Sequence, residues 1–114
     1  MQVPAPIAVT LEIRPLDLGA GAPRVFRLSR AIGADAVLLV RPLPFEPGRR
    51  VSVAFPLPGE PGPITAVGRV LGVAPVDPRS HGEQSEARAI ELTALSPPDR
   101  VRLQAYVESR TRDA

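Results

Sequence analysis

Apolar residues fall on every second position from Ile7 through Val9 and Leu11 to Ile13, with Ala8, Thr10, Glu12 and Arg14 between them. Successive side chains of a strand point to opposite faces, so this spacing predicts a half-buried β-strand that ends at Pro15. Beyond the turn-forming residues 18–23, the mixed alternation of residues 24–30 predicts a second strand. Residues 36–40 are an unbroken apolar run, which predicts a third strand covered on both faces. Residues 42–48 interrupt the pattern, with Pro47-Gly48 as a turn. Val51, Val53 and Phe55 define a fourth strand, and the proline-rich residues 56–63 are unsuited to a hydrogen-bonded ladder. A fifth strand is predicted over residues 64–76, where Gly68 and Gly72 imply a bend or a close backbone approach. Residues 87–93, with Ile90 and Leu92, read as a sixth strand.

The period changes only near the end of the sequence. Ser96-Pro97-Pro98-Asp99 combines a capping hydroxyl, a proline suited to the first helical turn and an acid at the positive dipole end. Leu103, Tyr106, Val107 and Arg110 then follow at helical spacing and predict one amphipathic helix over about residues 97–110, packed by Leu103 and Val107. The pattern as a whole predicts a mainly β protein, a six-stranded antiparallel β-barrel over residues 7–93 with one C-terminal α-helix.

The 114 residues suit one core, since a domain commonly uses about 100 to 150 residues, and residues 1–114 are read as a single domain. The absence of cysteine excludes disulfides, thiolate metal sites and a thiol nucleophile. The one histidine, His81, lies between Ser80 and Gly82 and reads as a loop residue. No run of roughly 18 apolar residues is present for a membrane span, and Met1-Gln2-Val3-Pro4 does not begin like a secretion signal. The expected location is therefore cytoplasmic.

The sequence pI of 10.4 suggests a strongly basic protein, whereas the formal net charge is only +2. The two differ because the 14 Lys and Arg residues are all arginine, whose very high pKa raises the pI without adding charge near neutrality. Local distribution is more informative. Residues 24–50 hold Arg24, Arg27, Arg30, Arg41, Arg49 and Arg50 against only Asp35 and Glu46.

No enzyme is indicated. Asp17, Asp35, Asp77 and Asp99 each adjoin turn residues or a helix start, where aspartate is expected for local capping, and no glycine-rich phosphate loop leads from a strand into a helix. The remaining candidate is the cluster Arg24, Arg27, Ser29, Arg30 and Gly33. Guanidinium groups grip phosphates bidentately and stack on purines, while a hydroxyl and a turn amide complete an anion site. The plain alternative is a solvated strand edge. Nucleic acid is not expected as a partner, because Phe26, Phe45, Phe55 and Tyr106 read as lying on apolar faces and so are not free to stack on bases.

In chain order, Leu28-Ser29 followed by Gly33, Pro42-Leu43-Pro44-Phe45-Glu46-Pro47-Gly48, Val51-Ser52-Val53-Ala54-Phe55-Pro56-Leu57-Pro58-Gly59, Gly68-Arg69-Val70-Leu71-Gly72-Val73 and the stretch from Leu95-Ser96 to Tyr106 resemble the PilZ domain. That family consists of small six-stranded barrels of bacterial cyclic di-GMP receptors. The resemblance covers most of the chain and implies a PilZ-like barrel with a closing helix. It also implies cyclic di-GMP as a candidate ligand, held in the family by an Arg-x-x-x-Arg pair ahead of the first strand and an Asp/Asn-x-Ser-x-x-Gly motif at the second. Here residues 1–6 contain no arginine, Arg27 stands at the acid or amide position, Ser29 matches, and Gly33 arrives one residue late.

These departures resemble the branch of the family that works through protein contacts in pilus assembly, motility or related signalling, with cyclic di-GMP binding weak or lost and no cofactor. The alternative is a genuine receptor using a rearranged site of Arg24, Arg27, Ser29, Arg30 and Gly33. On a regular strand Arg24 and Arg30 face one way and Arg27 the other, so a pocket using all three requires a bulge or the strand's end.

Overall fold

The computed structural model describes residues 5–16, 23–73 and 86–112. Six strands, β1 (Thr10–Pro15), β2 (Val25–Ile32), β3 (Ala36–Leu39), β4 (Arg50–Phe55), β5 (Ile64–Val73) and β6 (Glu86–Leu95), precede one helix, α1 (Pro97–Arg112). The strands close into an antiparallel barrel in the order β1-β2-β3-β6-β5-β4. Closure pairs the ladder groups that an open sheet leaves at its edges. Leu11 and Ile13, Val37 and Leu39, Val51, Val53 and Phe55, Ile64 and Val70, and Ile90 fill the interior. The mainly β architecture and its closing helix are those the periodicity predicts.

The first strand differs from its sequence reading. Residues 5–9 are extended, and Ala5, Ile7 and Val9 are alternately buried, but they lie along β2 ahead of the β1 ladder, with Ala5 bridged to Ile32. Period-two spacing reports which residues are buried; it carries no information on which backbone receives their hydrogen bonds. The third strand also departs from expectation. Val37 and Leu39 are interior, but Leu38 and Val40 are exposed on the outside, so the apolar run is covered on one face only. The distal end of the expected fifth strand at residues 74–76, together with Asp17, Asp77 and His81, lies outside the described residues.

Gly68 sits where the β5–β6 register shifts between Val67 and Gly68. A Cβ there would lie 2.6 Å from Ile90 Cγ2 and 2.7 Å from the Glu91 carbonyl oxygen. The second contact is with backbone and cannot be relieved by a rotamer change. Gly68→Ala is therefore expected to destabilise the barrel by about 1 to 3 kcal/mol, as overpacking does in close-packed cores. A thermal melt checks this, and an unchanged midpoint would show that β6 can move aside.

The helix begins as its cap predicts. Ser96 Oγ accepts from the Asp99 N–H at 3.3 Å, and the Ser96 carbonyl accepts from the Arg100 N–H at 2.9 Å. Leu103, Tyr106 and Val107 join the barrel's buried cluster. The helix is also tied to the β4–β5 loop: Arg102 donates to the carbonyls of Pro61 and Gly62 at 2.7 and 2.9 Å and to Asp99 at 3.1 Å, while Asp99 accepts from the Thr65 N–H at 3.4 Å.

Candidate functional site

The five residues singled out in the sequence all lie on or beside β2, in different environments. Ser29 faces inward and is 1% exposed. Its hydroxyl donates to the Ile7 carbonyl at 2.6 Å and accepts from the Val9 N–H at 2.9 Å, while its own N–H donates to the Val9 carbonyl at 2.8 Å. A hydroxyl has one proton, and this one is engaged inside the protein. Ser29 thus fastens residues 5–9 to β2 and presents no donor to solvent.

The ladder between β2 and β3 slips by one residue after Ser29: Ser29 pairs with Leu39, and Ala31 with Leu38. Arg30 is the extra residue, exposed and without a side-chain partner among the described residues. A bulge of this kind resets the inside-outside alternation, so Ser29 and Ile32 are both buried although three positions apart. The one-residue delay of Gly33 coincides with this one-residue bulge. Gly33 is buried, and its N–H closes the β2–β3 turn by donating to the Ala36 carbonyl at 2.8 Å.

Arg27 is half-buried on the face opposite Phe26 and Leu28. Its Nε donates to the Pro42 carbonyl at 3.0 Å and its Nη1 to the Phe26 carbonyl at 2.9 Å. Arg24 is exposed ahead of the strand, with Nη1 3.4 Å from Glu12 Oε1, an oxygen that Arg14 Nη2 also approaches to 3.4 Å. At the rise of a strand, Arg24 and Arg30 are about 20 Å apart along the chain. The bulge frees Arg30 but leaves Arg27 turned toward carbonyls. The structure therefore places the three guanidinium groups in three separate settings and keeps Ser29 and Gly33 beneath the surface.

Sequence reasoning missed a second feature of the same strands. Phe26 is 57% and Leu28 49% exposed, and Leu38 and Val40 join them on the outer face. The Val40 N–H donates to the Leu28 carbonyl at 3.0 Å, which sets these two residues side by side across the strands. Of the six large hydrophobic residues exposed in the described structure, four belong to this one patch. The expectation that Phe26 is covered and not free to stack is corrected here, since it stands exposed on an outer apolar face, whereas Phe55 and Tyr106 are buried and Phe45 packs against the core. The signal was in the sequence: β2 and β3 carry apolar residues at both parities, and a six-stranded barrel with one helix lacks the second layer needed to cover both faces. Beside Phe26 lies an open recess of about 490 Å³, which reaches across β1 to Ala54 and Pro56.

No group of three or more His, Cys, Asp or Glu residues suited to a metal ion occurs among the described residues, and none of their helices is long and apolar enough to cross a membrane.

No family model and no curated protein matches the chain in sequence. Among solved structures, the chain is similar to the Bacillus subtilis inhibitor of motility MotI/DgrA, with a TM-score of 0.72 and 19% identity, over 99% of this chain and 52% of that one. The chain thus spans about half the length of that protein. It is also similar to the PilZ domain of CeSA from a cellulose-synthesizing bacterium, with a TM-score of 0.62 and 12% identity, over 95% of this chain and 97% of that one.

Proposed function

The chain is a PilZ-like domain in its fold, and from that premise we propose that it is a regulatory adaptor which acts by contact with another protein and binds cyclic di-GMP weakly or not at all. The observation that carries this reading is the engagement of Ser29. The serine that matches the family's ligand motif is buried and fastens residues 5–9, a segment without arginine, against β2. Residues 5–9 form an apolar strap seated on β2 and offer no guanidinium group to a phosphate. The setting is cytoplasmic bacterial signalling, and motility is favoured because one structural neighbour is an inhibitor of motility. The role is non-enzymatic and needs no cofactor.

Charge-assisted hydrogen bonds contribute roughly 1.5 to 3 kcal/mol each, so the loss of two phosphate contacts weakens binding by about a hundredfold or more. Calorimetric titration with cyclic di-GMP at physiological salt is expected to show no saturable heat at micromolar protein. The rival reading, a receptor with a rearranged site, draws on the exposed Arg30 at the bulge, which has no side-chain partner among the described residues. Micromolar binding that disappears in Arg24→Ala or Arg30→Ala would establish the rival and overturn the adaptor.

A further inference from the structure

The adaptor reading leaves open where a partner docks and what chemistry it brings. We propose that the outer face of β2 and β3 is the docking surface, and that its occupant is an acidic, amphipathic segment of another protein. This inference rests on the adaptor reading and deepens it.

Three observations support it. The first is the concentration of Phe26, Leu28, Leu38 and Val40 on one face of two neighbouring strands, with Pro42 exposed next to them in the chain. Scattered exposed hydrophobics are ordinary on soluble proteins, but a contiguous cluster marks an interaction surface. The second is charge. Arg30 at the bulge and Arg41 after Val40 are exposed and have no side-chain partner among the described residues. Of the carboxylates on the flanking segments, Glu12 is already shared by Arg14 and Arg24, Asp35 lies in the turn beyond the patch, and Glu46 lies in the connection to β4. Apolar side chains bracketed by the exposed guanidinium groups of Arg30 and Arg41 complement a segment in which leucine or phenylalanine alternates with aspartate or glutamate.

The third observation is shape. The recess beside Phe26, about 490 Å³ and lined by Ala54, Pro56 and Pro63 as well as by Glu12 and Glu60, has room for a large apolar side chain of the segment, whose acidic positions then lie on the other side of the patch, toward Arg30 and Arg41. A second copy of this chain is disfavoured because a two-fold contact would bring one arginine rim against the other. The ladder of the barrel is closed, so the segment docks through side chains and does not add a strand.

The test is a selection of phage-displayed random peptides on the full chain. Enriched peptides are then synthesised and titrated against the wild type and against Phe26→Ser, Leu28→Ser and Arg41→Glu. These positions are exposed, and unchanged thermal midpoints verify that the variants fold. The inference expects acidic, apolar-alternating sequences, binding reduced about tenfold or more by Phe26→Ser or Leu28→Ser, a several-fold loss in Arg41→Glu, and weaker binding as salt rises. It is overturned by peptides that bind Leu28→Ser equally, by a basic or uncharged consensus, or by no enrichment. It is also overturned by a dimer in sedimentation that Leu28→Ser dissolves, or by Phe26-dependent binding to phosphatidylglycerol vesicles. A chain that takes neither peptide nor cyclic di-GMP contradicts this inference alone, whereas one that takes only cyclic di-GMP contradicts the adaptor reading as well.

Discussion

Leu103→Ala is expected to destabilise the protein by about 2 to 5 kcal/mol, far more than the removal of any exposed arginine. Leu103 is fully buried, and with Tyr106 and Val107 it inserts the helix into the same cluster that fills the barrel. Truncation forfeits the transfer of its side chain from water and leaves a cavity that a closed barrel cannot easily collapse around. Arg24, by contrast, is more than half exposed and lies 3.4 Å from Glu12, and pairs of that kind contribute about 0 to 1 kcal/mol. Thermal melts of Leu103→Ala and Arg24→Ala give the order directly. A larger loss for Arg24→Ala would mean that α1 does not close the core.

Ser29→Ala is expected to cost about 2 to 4 kcal/mol, a large effect for the loss of one oxygen. The substitution strands the Val9 N–H and the Ile7 carbonyl beneath the surface, and each buried polar group left unsatisfied costs about 1 to 3 kcal/mol. The loss is local in origin. Hydrogen exchange is expected to quicken first at Val9, before the barrel as a whole opens. If Ser29→Ala melts like the wild type, the hydroxyl is not a structural fastener, and its place in a ligand site has to be reconsidered.

The barrel was legible because alternation at Leu11 and Ile13, at Val51, Val53 and Phe55, and along β5 follows directly from burying one face of a strand. The helix was legible because Ser96 and two prolines announce it and Leu103 and Val107 keep its spacing. Residues 7–9 were read as part of β1 since burial alternates through them, although the regular ladder with β2 begins only at Thr10 and residues 5–9 meet β2 through Ser29 and one isolated bridge. The bulge at Arg30 left its trace only as the late arrival of Gly33. Whether three arginines converge depends on where a ladder slips, and that slip is fixed by pairing with β3, which sits later in the chain. The outer patch was obscured by the opposite assumption, that an unbroken apolar run such as residues 36–40 is covered on both sides.

The central claim is that β2 meets a protein on its outer face and does not hold a nucleotide at its bulge. Amide NMR spectra of the full chain, recorded first with cyclic di-GMP and then with an acidic amphipathic peptide, read both halves of that claim residue by residue. The account predicts that cyclic di-GMP leaves residues 5–9 and 24–33 unmoved at micromolar concentration, while the peptide shifts Phe26, Leu28, Leu38 and Val40. Saturable shifts confined to residues 24–33 on adding cyclic di-GMP, with none from the peptide, would contradict it.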